Sequence, residues 1–221
     1  MKLLQFTLIA VALIISAPSL AQKPTTRERY IGVSAGIDRN ILSGSEVDNQ
    51  KKLYGNGMQH RSGPAFSAFV KNELNQWFYL KYELGYARRG NVSPDNALWS
   101  INLEYLTIPA RFGVQPINFG TISRKFQFGI EGGFSFNYAP GRGTDGLDQA
   151  FSSVNATVRQ SSVGALAGFN LEYKLPSRRM LFVNSTWYGD LTPLVSYQGG
   201  SANYKAGNKG WMLTAGIMSP W

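Results

Sequence analysis

The sequence contains no cysteine. That excludes a disulfide framework, a thiolate-ligated zinc site and a lipid-anchored N-terminal cysteine. Histidine is almost absent as well: the one residue of this type is His60. Acidic side chains are scarce, with 13 Asp+Glu against 22 Lys+Arg and a formal charge of +9. After the first 21 residues no apolar run reaches the ~18 residues that a membrane-crossing helix requires. A mean hydropathy of −0.17 is likewise too low for a bundle of such helices. What is present is equally restrictive. At 43% hydrophobic residues the chain is too apolar to be a disordered polycation. A length of 221 residues fits one domain, or at most two small ones. The pI near 9.8 would ordinarily raise nucleic acid as a partner.

The N-terminus redirects that expectation. Residues 1–21 read MKLLQFTLIAVALIISAPSLA. Lys2 precedes an apolar run from Leu3 to Ile15, Pro18 ends any helix, and Ser19-Leu20-Ala21 offers small residues before a cut. This is the pattern of a secretory signal peptide, and the run is too short for a comfortable membrane anchor. The mature chain, 22–221, is expected to begin at Gln22 outside the cytoplasm, and no nucleic-acid partner is expected there.

Through the mature chain the apolar residues recur with period two. Phe126, Phe128, Ile130, Gly132, Phe134 and Phe136 alternate with Gln127, Gly129, Glu131, Gly133, Ser135 and Asn137. Val163 to Tyr173, Phe78 to Tyr86 and Trp211 to Ile217 alternate in the same way. Together with weaker runs they predict eight strands near 29–37, 63–72, 77–89, 101–112, 125–137, 161–174, 180–190 and 210–219. Pro109 fits poorly inside a regular ladder, and a bulge near Glu104 would switch the faces of that strand. The connections alternate long and short, with 113–124 intermediate. An even number of antiparallel strands, with long loops at one end and tight turns at the other, is the plan of a transmembrane β-barrel of the outer-membrane type.

A soluble sandwich or lipocalin-like barrel would also alternate. The polar faces decide between them. They carry small residues such as Gly85, Gly129, Gly133, Gly164 and Gly168 with isolated charges, not a dense solvated set. Such a face suits the crowded lumen of a narrow barrel, with Phe, Leu, Ile and Val turned to lipid. The chain ends on Trp221, in phase with Ile217, Leu213 and Trp211, with Pro220 beside it. A terminal aromatic in this phase is read as a signal for the outer-membrane insertion machinery.

Several stretches resemble the PorT-like outer membrane protein beta-barrel family of Bacteroidota-type bacteria. They are Tyr30–Gly36, Trp77–Tyr86 with Gly90, Glu104–Pro109, Phe128–Phe134 and Gly164–Phe169. The Leu-x-Ile-Pro segment after Glu104 is the most specific piece; otherwise order and spacing carry the match. The resemblance implies an eight-stranded barrel akin to outer-membrane protein X and the OmpA barrel. One member of that family is linked to protein secretion and gliding, and the resemblance brings no catalytic residues.

The search for chemistry yields little. His60 sits in the first long connection beside Arg61 and Ser62. A hydrolase would need a nucleophile and an orienting acid around it, and no nucleophile motif accompanies it. Asp145 and Asp148 lie in Gly141–Asp148, which has too few acids for a calcium loop. Its Gly-x-Gly lacks the strand-then-helix setting of a nucleotide loop. No cofactor or metal ion is implied. Lys81, Glu83, Arg111, Glu131 and Glu172 fall on the inward face, either as a polar plug that pairs its own charges or as the lining of an ion path. Trp77, Tyr79, Tyr82, Tyr86, Trp99, Tyr105, Tyr138, Tyr173, Trp187, Tyr188 and Trp211 are expected to gather into interfacial girdles.

Under this topology most of the excess positive charge falls on the periplasmic side, where Lys71 is counted with a basic rim of Arg124, Lys125, Arg178 and Arg179. The rim would meet lipid phosphates or an acidic periplasmic or secretion-system partner. Outer-membrane lipids and lipopolysaccharide are the expected surroundings. The expected function is a non-enzymatic structural, adhesive or secretion-accessory barrel. The alternatives are a lipid-modifying enzyme centred on His60 and a small porin.

Overall fold

The computed structural model describes residues 28–45, 48, 59–75, 77–92, 101–118, 125–140, 157–199 and 202–221. Residues 1–21, Trp99, Arg124, Asp145 and Asp148, singled out above, lie outside them.

Period-two alternation folds here into eight long strands. They are β1 (Arg29–Ser43), β2 (Gln59–Glu73), β3 (Phe78–Val92), β4 (Ile101–Asn118), β5 (Phe126–Tyr138), β7 (Ser161–Lys174), β8 (Met180–Asp190) and β10 (Ala202–Pro220). Each pairs antiparallel with its neighbour in chain order, and β1 closes on β10 from Tyr30↔Pro220 to Ser43↔Gly207. Two short strands, β6 (Thr157–Val158) and β9 (Val195–Gly199), add a small ladder on the first residues of β10, at the end opposite both termini. Closure removes every long edge, which is how an antiparallel sheet can stand in lipid with its backbone satisfied.

The strands run longer than the sequence pattern predicts. β1 continues to Ser43 and β2 begins at Gln59, so much of the expected first loop is ladder. The connection expected from 113 is strand as far as Asn118, with a register shift between Val114 and Ile117. Ladder bonding does not need lipid, and polar residues such as Asp38 and Asn40 continue the alternation above the apolar band. No bulge interrupts the pairing of β3 with β4 near Glu104. β3 and β4 keep one register across Pro109, from Tyr82↔Ala110 to Gly85↔Thr107. The proline leaves a gap in the ladder without shifting it. Glu104 therefore faces outward and is exposed.

The tight turns are built locally. The Asn75 side chain accepts the backbone N–H groups of Trp77 (2.8 Å) and Phe78 (2.9 Å), reversing the chain between β2 and β3. Between β7 and β8, Arg178 adopts a left-handed conformation at φ 62°, and Leu175 N–H reaches Arg179 O at 2.8 Å. Both turns lie at the same end of the barrel as the two strand termini, where Trp221 N–H bonds Arg29 O at 3.0 Å.

The two faces are inverted relative to a water-soluble fold. The outward face is apolar and open, with Phe134 63%, Ile37 59% and Val33 56% exposed. The inward face buries Lys71, Lys81, Glu83, Arg89, Arg111, Glu131 and Glu172. Single glycines make room for large rings inside. A Cβ on Gly113 would strike the Tyr79 ring, and one on Gly32 or Gly216 would strike Phe69 or Phe182.

Candidate functional site

In the lumen, polar side chains from every long strand converge. Nearest the tight turns, Tyr30, Phe69, Met180, Phe182 and Met218 form a buried apolar cluster. Phe69 meets Phe182 edge to face at 5.2 Å. The Lys81 ammonium stands 4.5 Å from the Phe69 ring centroid and 5.4 Å from that of Phe182, a cation–π contact shielded from water.

Beside this cluster, and extending away from the tight turns, lies a charged network, in which Lys71 pairs in register with Tyr30 and Glu172 with Phe182. Lys71 Nζ donates to both Glu172 oxygens at 2.7 and 2.8 Å. Asn170 and Gln115 also donate to Glu172. Glu131 accepts from the Tyr79 hydroxyl at 2.8 Å and from Asn184 at 2.7 Å, and pairs with Arg111 Nη1 at 3.2 Å. Arg111 also pairs through Nε with Glu83 at 2.5 Å and donates to Thr186 at 2.7 Å. Lys81 reaches Glu83 at 3.4 Å. Lys71 also stands 3.9 Å from the partly exposed Glu73. The buried cations Lys71, Lys81 and Arg111 thus face the buried carboxylates Glu83, Glu131 and Glu172, with Glu73 beside them. Each charge has opposite charges or donors around it, which is the condition for tolerating burial.

Small side chains follow: Ser34, Ser67, Gly85, Thr107 and Thr214 line a cavity of about 20 Å³ beside Glu83. That is room for about one water molecule. Toward the long connections a second polar network forms around Arg89, whose Nε pairs with Asp38 at 3.0 Å. The Arg89 guanidinium stacks 4.0 Å from the Tyr188 ring centroid, and the Tyr188 hydroxyl donates to Asp38. Asp190 accepts from Ser162 Oγ at 3.0 Å and from Asn208 N–H at 2.8 Å.

The structure thus places Lys81, Glu83, Arg111, Glu131 and Glu172 together in one connected network. Four further lumen charges escaped the sequence reading. Lys71, assigned to the periplasmic rim, is buried against Glu172. Asp38, placed beyond the predicted first strand, and Arg89 and Asp190, the last residues of the predicted strands 77–89 and 180–190, are enclosed strand residues. Each falls in phase with the inward residues of its strand. Tyr79 and Tyr105, expected in the girdle, are buried in the lumen at 0% and 1% exposure. The Tyr188 hydroxyl points inward to Asp38. Trp77, Phe78, Phe112, Phe126 and Trp187 do stand exposed on the outside.

Of the basic rim, Lys125, Arg178 and Arg179 are exposed at the tight-turn end. Trp221 is exposed there as well, on the outer face. His60 is exposed on the outer face near the opposite end, and among the described residues it makes no hydrogen bond or ion pair. Among the described residues no group of three or more His, Cys, Asp or Glu side chains is arranged to hold a metal ion.

A closed barrel of eight antiparallel strands, with a lipid-compatible exterior, a polar interior, tight turns at one end and long connections at the other, defines a transmembrane β-barrel of the outer-membrane class. A protein with that exterior is an integral protein of an outer membrane; in barrels of this class the short turns face the periplasm. A solved structure carries the same fold, and others align less closely. The outer membrane protein OprG from Pseudomonas aeruginosa aligns with a TM-score of 0.51 and 13% identity, over 88% of this chain and 96% of that one. Neisserial surface protein A (NspA) aligns at 0.49 and 12% identity, over 87% and 97%. A major outer membrane protein from Thermus thermophilus aligns at 0.49 and 11% identity, over 89% and 100%. At these identities the likeness is one of fold. No family model and no curated protein matches the chain.

Proposed function

We propose that this chain is a non-enzymatic outer-membrane barrel whose long external connections form its working surface, in a structural, adhesive or secretion-accessory role. The filled lumen carries this reading. An apolar cluster backed by an ion-pair network occupies the half toward the tight turns, and the cavity beside Glu83 is only about 20 Å³. Among the described residues the half of the lumen toward the tight turns leaves no wide path for solute, which favours contacts made outside. Residues 1–21 fit this reading as a secretory signal peptide, and Trp221 fits it as the segment read by the insertion machinery. The segments from Tyr30 to Phe169 that resemble the PorT-like family point the same way, toward a secretion-linked role. Outer-membrane lipids and lipopolysaccharide would surround the barrel, and Lys125, Arg178 and Arg179, with Arg124, would meet lipid phosphates or an acidic periplasmic partner.

Planar-bilayer recording of the purified barrel tests the lumen reading. Only brief, small openings are expected; a large, steady conductance would identify a porin and sink the plug.

A further inference from the structure

The outer surface carries a second feature, unrelated to the lumen. On β1 the outward residues Ile31, Val33, Ala35 and Ile37 are followed by Arg39. Arg39 pairs in register with Trp211 of β10, and Trp211 pairs with Trp187 of β8. One step further from the tight turns, Ile41 pairs with Lys209. Arg39, His60, Trp187, Lys209, Gly210 and Trp211 together line a shallow recess. Three facts locate and charge it. Arg39 stands eight residues beyond Ile31, and at ~3.3 Å per residue with ~40° tilt that is about 20 Å along the membrane normal. The recess therefore lies at the external boundary of an apolar band about 25 Å tall. Arg39 and Lys209 are exposed and, among the described residues, neither has an ion-pair partner. Trp187 is 51% exposed, and the Trp211 indole is fixed by its N–H bond to Ser185 Oγ at 2.7 Å.

Two unpaired cations at the headgroup level call for an anion fixed at that depth, and a flat indole beside them offers a face for a sugar ring. We infer that this recess binds the phosphorylated sugar headgroup of an outer-leaflet glycolipid, with Arg39 and Lys209 on phosphate and Trp187 against the sugar. Arg39 supplies a planar fork suited to phosphate oxygens, Lys209 a point charge. The acyl chains of the same molecule would lie on Ile37 and Leu213 below, both outward and exposed. The inference rests on the outer-membrane orientation given above and adds a bound lipid class to it.

Native mass spectrometry of the full barrel with three probes tests it: bis-phosphorylated lipid A, the same lipid with both phosphates removed, and phosphatidylglycerol. The wild-type barrel is expected to retain lipid A over both other lipids. The R39Q/K209Q variant is expected to lose about tenfold or more of that retention. The R29Q/K174Q variant, which removes two exposed cations at the other end, should retain lipid A as the wild type does. Undiminished binding by R39Q/K209Q, equal binding of the dephosphorylated lipid, equal binding of phosphatidylglycerol, or the same loss in R29Q/K174Q would each overturn the site. The comparison of lipids on the wild type needs no variant, so it stands even if R39Q/K209Q fails to fold. A wild-type barrel that shows no heat-modifiable gel migration in lipid would instead count against the outer-membrane reading.

Discussion

Arg111→Leu is expected to lower folding stability by about 3–5 kcal/mol, the usual effect of removing one partner from a buried ion pair. The size follows from what Arg111 holds. Its guanidinium bridges Glu83 and Glu131 and donates to Thr186, all inside the lumen. Without it Lys81, which already reaches Glu83, is the cation left to those two carboxylates, and Glu131 keeps only the neutral donors Tyr79, Asn184 and Asn170. The apolar leucine cannot hydrate them. Urea titration of the barrel folded into lipid vesicles reads the loss. The double variant R111L/E131L removes an acid together with the base, and is expected to recover part of the loss, since neighbouring sites in one network are not additive. A single-variant loss below about 1 kcal/mol would mean that the network is hydrated rather than closed.

The second large effect lies on the opposite face. Phe134 stands on the outer surface of β5, near the middle of its apolar stretch, and is 63% exposed. Phe134→Arg is expected to cost about 2–4 kcal/mol, because the guanidinium then sits near the bilayer midplane. Tyr138→Arg, at the external end of the same strand, is expected to cost only about 0–1 kcal/mol. The same urea titration compares them. Equal costs at the two positions would remove the depth gradient that lipid imposes. In a water-soluble barrel, an exposed Phe134→Arg would cost almost nothing.

Much of this architecture was legible in the sequence because a strand's side chains have period two, and lipid demands that one of the two faces be apolar along its whole crossing. That alternation located all eight strands and placed Lys81, Glu83, Arg111, Glu131 and Glu172 inside. It could not say where a strand stops, since hydrogen bonding continues past the lipid boundary with polar residues on both faces. Asp38 was lost to a loop for that reason, while Arg89 and Asp190 at the predicted strand ends, and Lys71 near the rim, were not recognised as lumen charges. Nor does residue type separate a girdle tyrosine from a lumen tyrosine. Tyr79 is told apart by its cross-strand partner Gly113, whose missing side chain leaves space for the ring. That pairing requires the register, which spacing alone does not supply. The ion pairs are further from view: Lys71 and Glu172 sit on β2 and β7, which are not neighbours in the sheet.

The absence of cysteine makes the central claim directly measurable. Single cysteines introduced at successive positions from 163 to 172 of β7 can carry spin labels without interference from native thiols. In lipid vesicles, oxygen accessibility is expected to be high at 163, 165, 167, 169 and 171 and low at the even positions between them, with a period of two. High accessibility at the even positions to a water-soluble relaxation agent, with the odd positions protected from oxygen, would mean that the apolar face is a core and that the barrel does not face lipid.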